Sequence, residues 1–102
     1  PDTVALLDRQ RLGRLTPTGP VLVSIGLFDD VIPQPQVQQL AHDYCEKGVT
    51  VSYEEDPMAR ITPDLKSGLN HGVMVFADIP TSLQYLTDRF NNVPAPTNCG
   101  SF

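Results

Sequence analysis

Basic residues are scarce in this chain: seven Lys and Arg stand against twelve Asp and Glu, for a net charge of −5 and a pI near 4.6. They form no cluster, which argues against a nucleic-acid partner, whose affinity rests on cationic contacts to phosphate. No apolar run approaches the roughly 20 residues that cross a bilayer. The seven glycines are scattered and none forms G-x-G-x-x-G, so no phosphate-cradling loop is present. Histidine occurs only at His42 and His71, and cysteine only at Cys45 and Cys99. His42-x-x-Cys45 is too small a ligand set for zinc and has no second pair to complete four ligands. No metal and no cofactor are expected.

What is present is a chain of 102 residues, 40% hydrophobic and 19% charged, the composition of a folded protein. That length makes one domain or part of one, able to bury roughly 65% of the surface its unfolded form exposes. Pro1 is not a translation start, so the lack of a visible leader carries no information on compartment. Eight of the ten prolines gather at 17–20, 33–35, 57–63 and 94–96, marking turns. The cysteine pair reads equally as two free thiols or one disulfide.

Hydrophobic patterning places the elements. Asp2 or Thr3 caps a short helix over residues 4–12, with Gly13 as its stop. Residues 21–25 are almost all apolar, the mark of a strand covered on both faces in a parallel sheet. Val37, Leu40, Ala41, Tyr44 and Cys45 recur at helical spacing, and Gly48 ends that helix. Residues 49–53 alternate and are β-branched, predicting a second strand and hence a βαβ unit. Residues 54–70 read as a long polar loop, and the apolar run 73–77 has no assignable period. Asp78 and Pro80 open a last helix, with Leu83, Leu86 and Phe90 on one face. Residues 91–102 form a proline-rich tail. Tyr44, Phe28, Phe76 and Phe90 are expected in the core, and His42 on the solvated surface.

Two residue sets invite chemistry. Asp29 and Asp30 follow the first strand, where open α/β sheets place their ligands, and His71 closes the long loop after the second. An acid after one strand and a histidine after the next match the latter part of an α/β-hydrolase triad, whose chain order is Ser, Asp or Glu, His. The carboxylate would orient the imidazole while its other nitrogen takes the serine proton. The plainer alternative is a turn and helix cap at Asp29-Asp30, with an ordinary loop histidine.

The run Asp29-Asp30-Val31-Ile32-Pro33, followed by Gln38-Gln39-Leu40-Ala41 and residues 44–53, resembles the C-terminal part of the secretory (lipase A-type) lipases. So do His71, Pro80-Thr81-Ser82-Leu83, residues 86–90 and the tail 93–99. The resemblance implies the C-terminal portion of an α/β-hydrolase fold: a small parallel sheet with flanking helices, in a single domain over 1–102. Its Asp-x-x-[Val/Ile]-Pro motif makes Asp29, rather than Asp30, the catalytic acid, and His71 the catalytic base. It also implies a disulfide between Cys45 and Cys99 and a secreted protein. Residues 61–70 depart from the family pattern as an insertion before the histidine.

The nucleophile is missing. Ser24, Ser52, Ser67, Ser82 and Ser101 all lack a Gly-x-Ser-x-Gly elbow; Ser67 stands nearest His71 in sequence but without the elbow's geometry. The expectation is therefore a segment that hydrolyses no ester alone. Its partner would be an N-terminal part supplying the serine, and the complete enzyme's substrate an acyl ester or lipid. The alternative is a non-catalytic binding or assembly module on a hydrolase-derived scaffold. One sheet face also lacks an obvious cover, which predicts an exposed apolar patch, self-association or a compact fold rearranged to hide that face.

Overall fold

The prolines of the Ile32-Pro33-Gln34-Pro35 run lack the N–H groups that a helix start leaves unpaired anyway, so the chain turns into a helix directly behind the first strand. The computed structural model describes residues 2–57 and 68–102. Within them, β1 (Val21–Gly26) and β2 (Val51–Asp56) pair in parallel, Val21 opposite Val51 and Gly26 opposite Asp56. Helix α2 (Gln34–Glu46) connects them, α1 (Asp2–Arg9) precedes them and α3 (Leu69–Phe90) follows. The result is a small α/β unit, a two-stranded parallel sheet with flanking helices.

Alternate strand residues point to opposite faces. Val23, Ile25, Val51 and Tyr53 pack under α2, where Ala41 and Val51 are fully buried. Gly48 adopts φ 78°, the left-handed conformation that ends a helix, and lets Val49 N donate back to Tyr44 O at 3.1 Å. The tail returns over this layer. Cys45 and Cys99 form a disulfide with Cα atoms 5.8 Å apart, and the Phe102 ring lies 4.6 Å from Tyr53 and 4.7 Å from His42. Helix α3 covers the other face and approaches the end of β1 so closely that a Cβ on Gly26 would stand 2.7 Å from Met74 Cγ.

Several elements differ from their sequence patterns. The second strand starts at Val51 rather than residue 49, because Val49 N is engaged by the end of α2, and it runs on through Asp56. Polar Glu54, Glu55 and Asp56 extend because they pair with Ser24, Ile25 and Gly26; the ladder outweighs their low strand propensity. The last helix begins at Leu69, not at residues 78–80, and contains Pro80 in its interior. The unassigned run 73–77 is thus helical, and His71 lies in a first turn rather than at a loop's end. Interior proline removes one helical hydrogen bond and reads as a start, whereas Met74 against Gly26 holds the preceding turns in place. Helix α1 stops at Arg9 and buries no residue; a helix this short gains little without packing.

The aromatic expectation fails for the phenylalanines. Phe76 is 74% and Phe90 85% exposed and Phe28 sits at the surface, while Tyr44 packs half-buried against the core. Phe76 and Phe90 project from the side of α3 that no described element covers. His42, expected in solvent, is half-buried beside Phe102. No described helix is long and apolar enough to cross a membrane.

Candidate active site

Asp29 is locked by its own turn. Its N–H donates to Gly26 O at 3.1 Å where β1 ends, and its Oδ1 accepts from Val31 N at 2.8 Å and Ile32 N at 2.9 Å. This is the short-range side-chain-to-backbone bonding for which aspartate is favoured in turns. The side chain is 2% exposed, and its remaining oxygen, Oδ2, stands 2.7 Å from His71 Nδ1. Burial alone would push the Asp29 carboxyl up, but the bonds from Ile32, His71 and Val31 together outweigh it and hold the pKa below its ordinary value.

Asp30 binds the same region differently. Its Oδ2 accepts from Gly68 N at 3.0 Å and its Oδ1 from His71 N at 3.2 Å. Gly68, at the N-cap of α3, has no side chain to satisfy the first helical donors. A carboxylate from the β1–α2 turn does so instead and also complements the positive end of the helix. The adjacent acids therefore divide the work: Asp29 holds the His71 ring and Asp30 holds its backbone.

His71 is 38% exposed, and its Nε2 has no partner among the described residues. It borders a cleft of about 360 Å³ shared with Ser24, Asp29, Ile32, Met74 and Ile79. With Nδ1–H donated to the carboxylate, Nε2 keeps its lone pair and is a base facing an apolar-walled hollow. Asp78 also lines this hollow, but its Oδ2 accepts the Ser82 hydroxyl proton. The described residues hold no cluster of three or more acids, histidines or cysteines suited to a metal ion.

Of the sequence-derived candidates, Asp29 and His71 are brought into direct contact across 42 positions, and Cys45 and Cys99 are joined. His42 stands apart, on the α2 layer. Ser67 and most of the 61–70 segment lie outside the described residues. Asn98 went unnoticed in the sequence. Its amide bonds both ways with the Tyr53 backbone, at 2.8 and 2.7 Å, and no local pattern announces that role.

The buried Asp29 carboxylate thus holds the His71 imidazole just beyond the carboxyl end of β1, in a small α/β unit compatible with a fragment of a lipase fold. The secretory lipase family model matches residues 3–98, and the chain belongs to that family. It is similar to Lipase A of Arthroderma benhamiae, 23% identical over 99 residues that make up 97% of this chain and 19% of that protein. It is also similar to the secreted triacylglycerol lipase LIP5 of Malassezia furfur, 28% identical over 81 residues, 79% of this chain and 19% of that protein. The chain thus spans about a fifth of the length of these relatives. No solved structure matches it.

Proposed function

We propose that this chain is the C-terminal segment of a secreted α/β-hydrolase, one structural unit over 1–102 carrying the acid and base of a Ser-His-Asp triad. The observation that carries the reading is the 2.7 Å contact between Asp29 Oδ2 and His71 Nδ1, with the carboxylate buried and no described residue bonded to the ring's other nitrogen. In this role His71 Nε2 takes the proton of a serine hydroxyl as its oxygen attacks the ester carbonyl, then gives it to the departing alcohol. Asp29 remains ionised throughout, favouring the imidazolium. Water then releases the carboxylic acid from the acyl-serine, with His71 again as base. Membership of a secretory lipase family supports an acyl lipid substrate and an extracellular location.

The serine belongs to the part of the polypeptide that relatives carry and this segment does not, so the segment alone is inactive. The oxyanion donors, each worth about 10²–10³ in rate, would come from that same part of the polypeptide. The test is ester hydrolysis by the 102-residue chain and by the longer polypeptide encoded by its reading frame. Only the longer form should turn over a triacylglycerol or short-chain ester, and Asp29→Asn or His71→Ala should remove nearly all of it. Full activity in both variants sinks the assignment. A reading frame without a nucleophilic serine would favour a binding module instead.

A further inference from the structure

A helix that starts unaided often uses two reciprocal bonds: its N-cap side chain accepts the N–H of the third helical residue, whose side chain accepts the N-cap N–H. Helix α3 has neither half. Gly68, its N-cap, has no side chain and holds φ 81°, a left-handed conformation that favours glycine over the usual capping residues. The third helical residue is His71, and its ring is turned to Asp29 instead. One carboxylate from a distant turn makes both bonds. Asp30 Oδ2 accepts from Gly68 N at 3.0 Å and Oδ1 from His71 N at 3.2 Å. An asparagine could not do this, because it offers one oxygen and its NH2 would meet the second N–H. Asp30 therefore relieves the His71 side chain of any duty to its own helix.

Two consequences reach the imidazole. The first is position. Asp29 Oδ2 fixes the ring at Nδ1 and Asp30 fixes the residue at its backbone N–H, so the side chain is held at both ends. With the backbone anchor gone, the first turn of α3 loosens and the ring swings about its contact with Asp29, carrying Nε2 across the cleft. The second is charge. His71 stands in the first turn of a 22-residue helix, at the positive end of its dipole, which disfavours a cation there. The imidazolium formed when a histidine base takes a proton is such a cation. Asp30, half-buried on that helix end, offsets it. Asp78, the acid of α3 that borders the cleft, lies seven residues further along and is bonded to Ser82.

We propose that Asp30 is a positioning residue of the reaction, fixing where His71 Nε2 stands and offsetting the helix end that opposes the imidazolium. This rests on the reading that Asp29 and His71 are the acid and base of a hydrolase. Asp30 touches no reacting atom; it acts through His71. The contact between Asp29 and the ring survives its loss, because Asp29 is held by its own turn.

Ester turnover by the longer polypeptide from the same reading frame tests this, with turnover counted per serine titrated to completion by a phosphonate ester. Asp30→Asn should lower kcat per titrated serine about tenfold and Asp30→Ala about 100-fold, the scale of a base displaced by about 1 Å. KM should stay within about twofold, because the loss falls on the transition state alone. A cap that only stabilises the fold gives the opposite pattern: fewer titratable serines, each turning over at the parent rate. That pattern overturns the proposal, as does the absence of titratable serine in both variants. Loss of turnover in Asp29→Asn beside full turnover per serine in Asp30→Ala would remove this proposal and leave the acid–base reading intact. A parent form that titrates but hydrolyses no ester would remove both.

Discussion

The two faces of the sheet are built from alternate residues of the same two strands, yet they are not equally finished. Under α2, Val23, Ile25, Val51 and Tyr53 meet Ala41, Phe102 and the half-cystine Cys45 in a closed core. Under α3 the strands present Leu22, Ser24 and Ser52, a serine hydroxyl lacks a partner, and Phe76, Leu83, Leu86 and Phe90 remain exposed on the helix. Apolar area contributes about 25 cal/mol per Å² only when it leaves water. The α2 face therefore contributes most of the apolar burial of this chain, while the α3 face leaves apolar side chains in water.

The largest break in that comparison should come from the disulfide. Cys45 and Cys99 close a loop across 54 positions, and removing that constraint costs about 4 kcal/mol in the chain-entropy picture. The Cys45→Ser, Cys99→Ser double variant should show it as a lower urea midpoint, with Phe102 and Asn98 released from the core. An unfolding free energy within about 0.5 kcal/mol of the parent's would mean the tail holds without the bond. Next comes Val51→Ala on the fully buried position, which should cost roughly 1–3 kcal/mol through lost methyl burial and a cavity. The matching change on the other face, Leu83→Ala, removes a side chain 58% exposed and should fall within about 0.5 kcal/mol in this chain. Equal losses from the two changes would erase the distinction between the faces.

Smaller still is the pH response at the seam between β1 and α3. Asp29 is held below its unfolded value of 3.8, so its stabilising bonds are fully present above that pH. They are lost as pH falls through the lower folded value and the carboxylate takes a proton. Asp29→Asn should therefore flatten the acid limb of the stability curve below about pH 4. An acid limb unchanged by the substitution would show that other groups control it. Asp30→Asn should act through the helix start instead, speeding exchange at Gly68 and His71 N–H while leaving the Asp29–His71 ring contact in place. A lost far-downfield Nδ1–H resonance of His71 in that variant would show that the two acids do not divide the work as described.

Much of this was legible because it is local. The apolar run 21–25 announced a strand, though only its α2 face is closed among the described residues, and the spacing of Val37, Leu40, Ala41, Tyr44 and Cys45 announced the helix that covers that face. Gly48 marked the helix end through its lack of a Cβ. The Asp29-x-x-Ile32-Pro33 spacing carried the turn, since an aspartate reaches N–H groups two and three residues ahead wherever the chain bends this way. What failed depended on distant partners. Pro80 reads as a helix start when only neighbours are considered, yet α3 begins eleven residues earlier, at Leu69, with Met74 seated on Gly26 and Asp30 serving the first-turn donors. Phe76 and Phe90 read as core because hydrophobicity has no address, and no described residue covers them.

By itself, then, the sequence determined the order of elements, the acid-bearing turn and the stop of α2. Each follows from backbone preferences and side-chain reach within a few residues. Only the tertiary structure decided that Asp30 accepts the His71 backbone N–H beside the Asp29 ring contact, that Asn98 seals β2 while no described residue pairs with the outer edge of β1, and that among the described residues one sheet face is closed and the other is not. Those outcomes rest on contacts between residues roughly 40 or more positions apart, as with the 42 between Asp29 and His71 and the 45 between Tyr53 and Asn98. No local propensity encodes such a pairing, because its free energy exists only once both strands and α3 are in place.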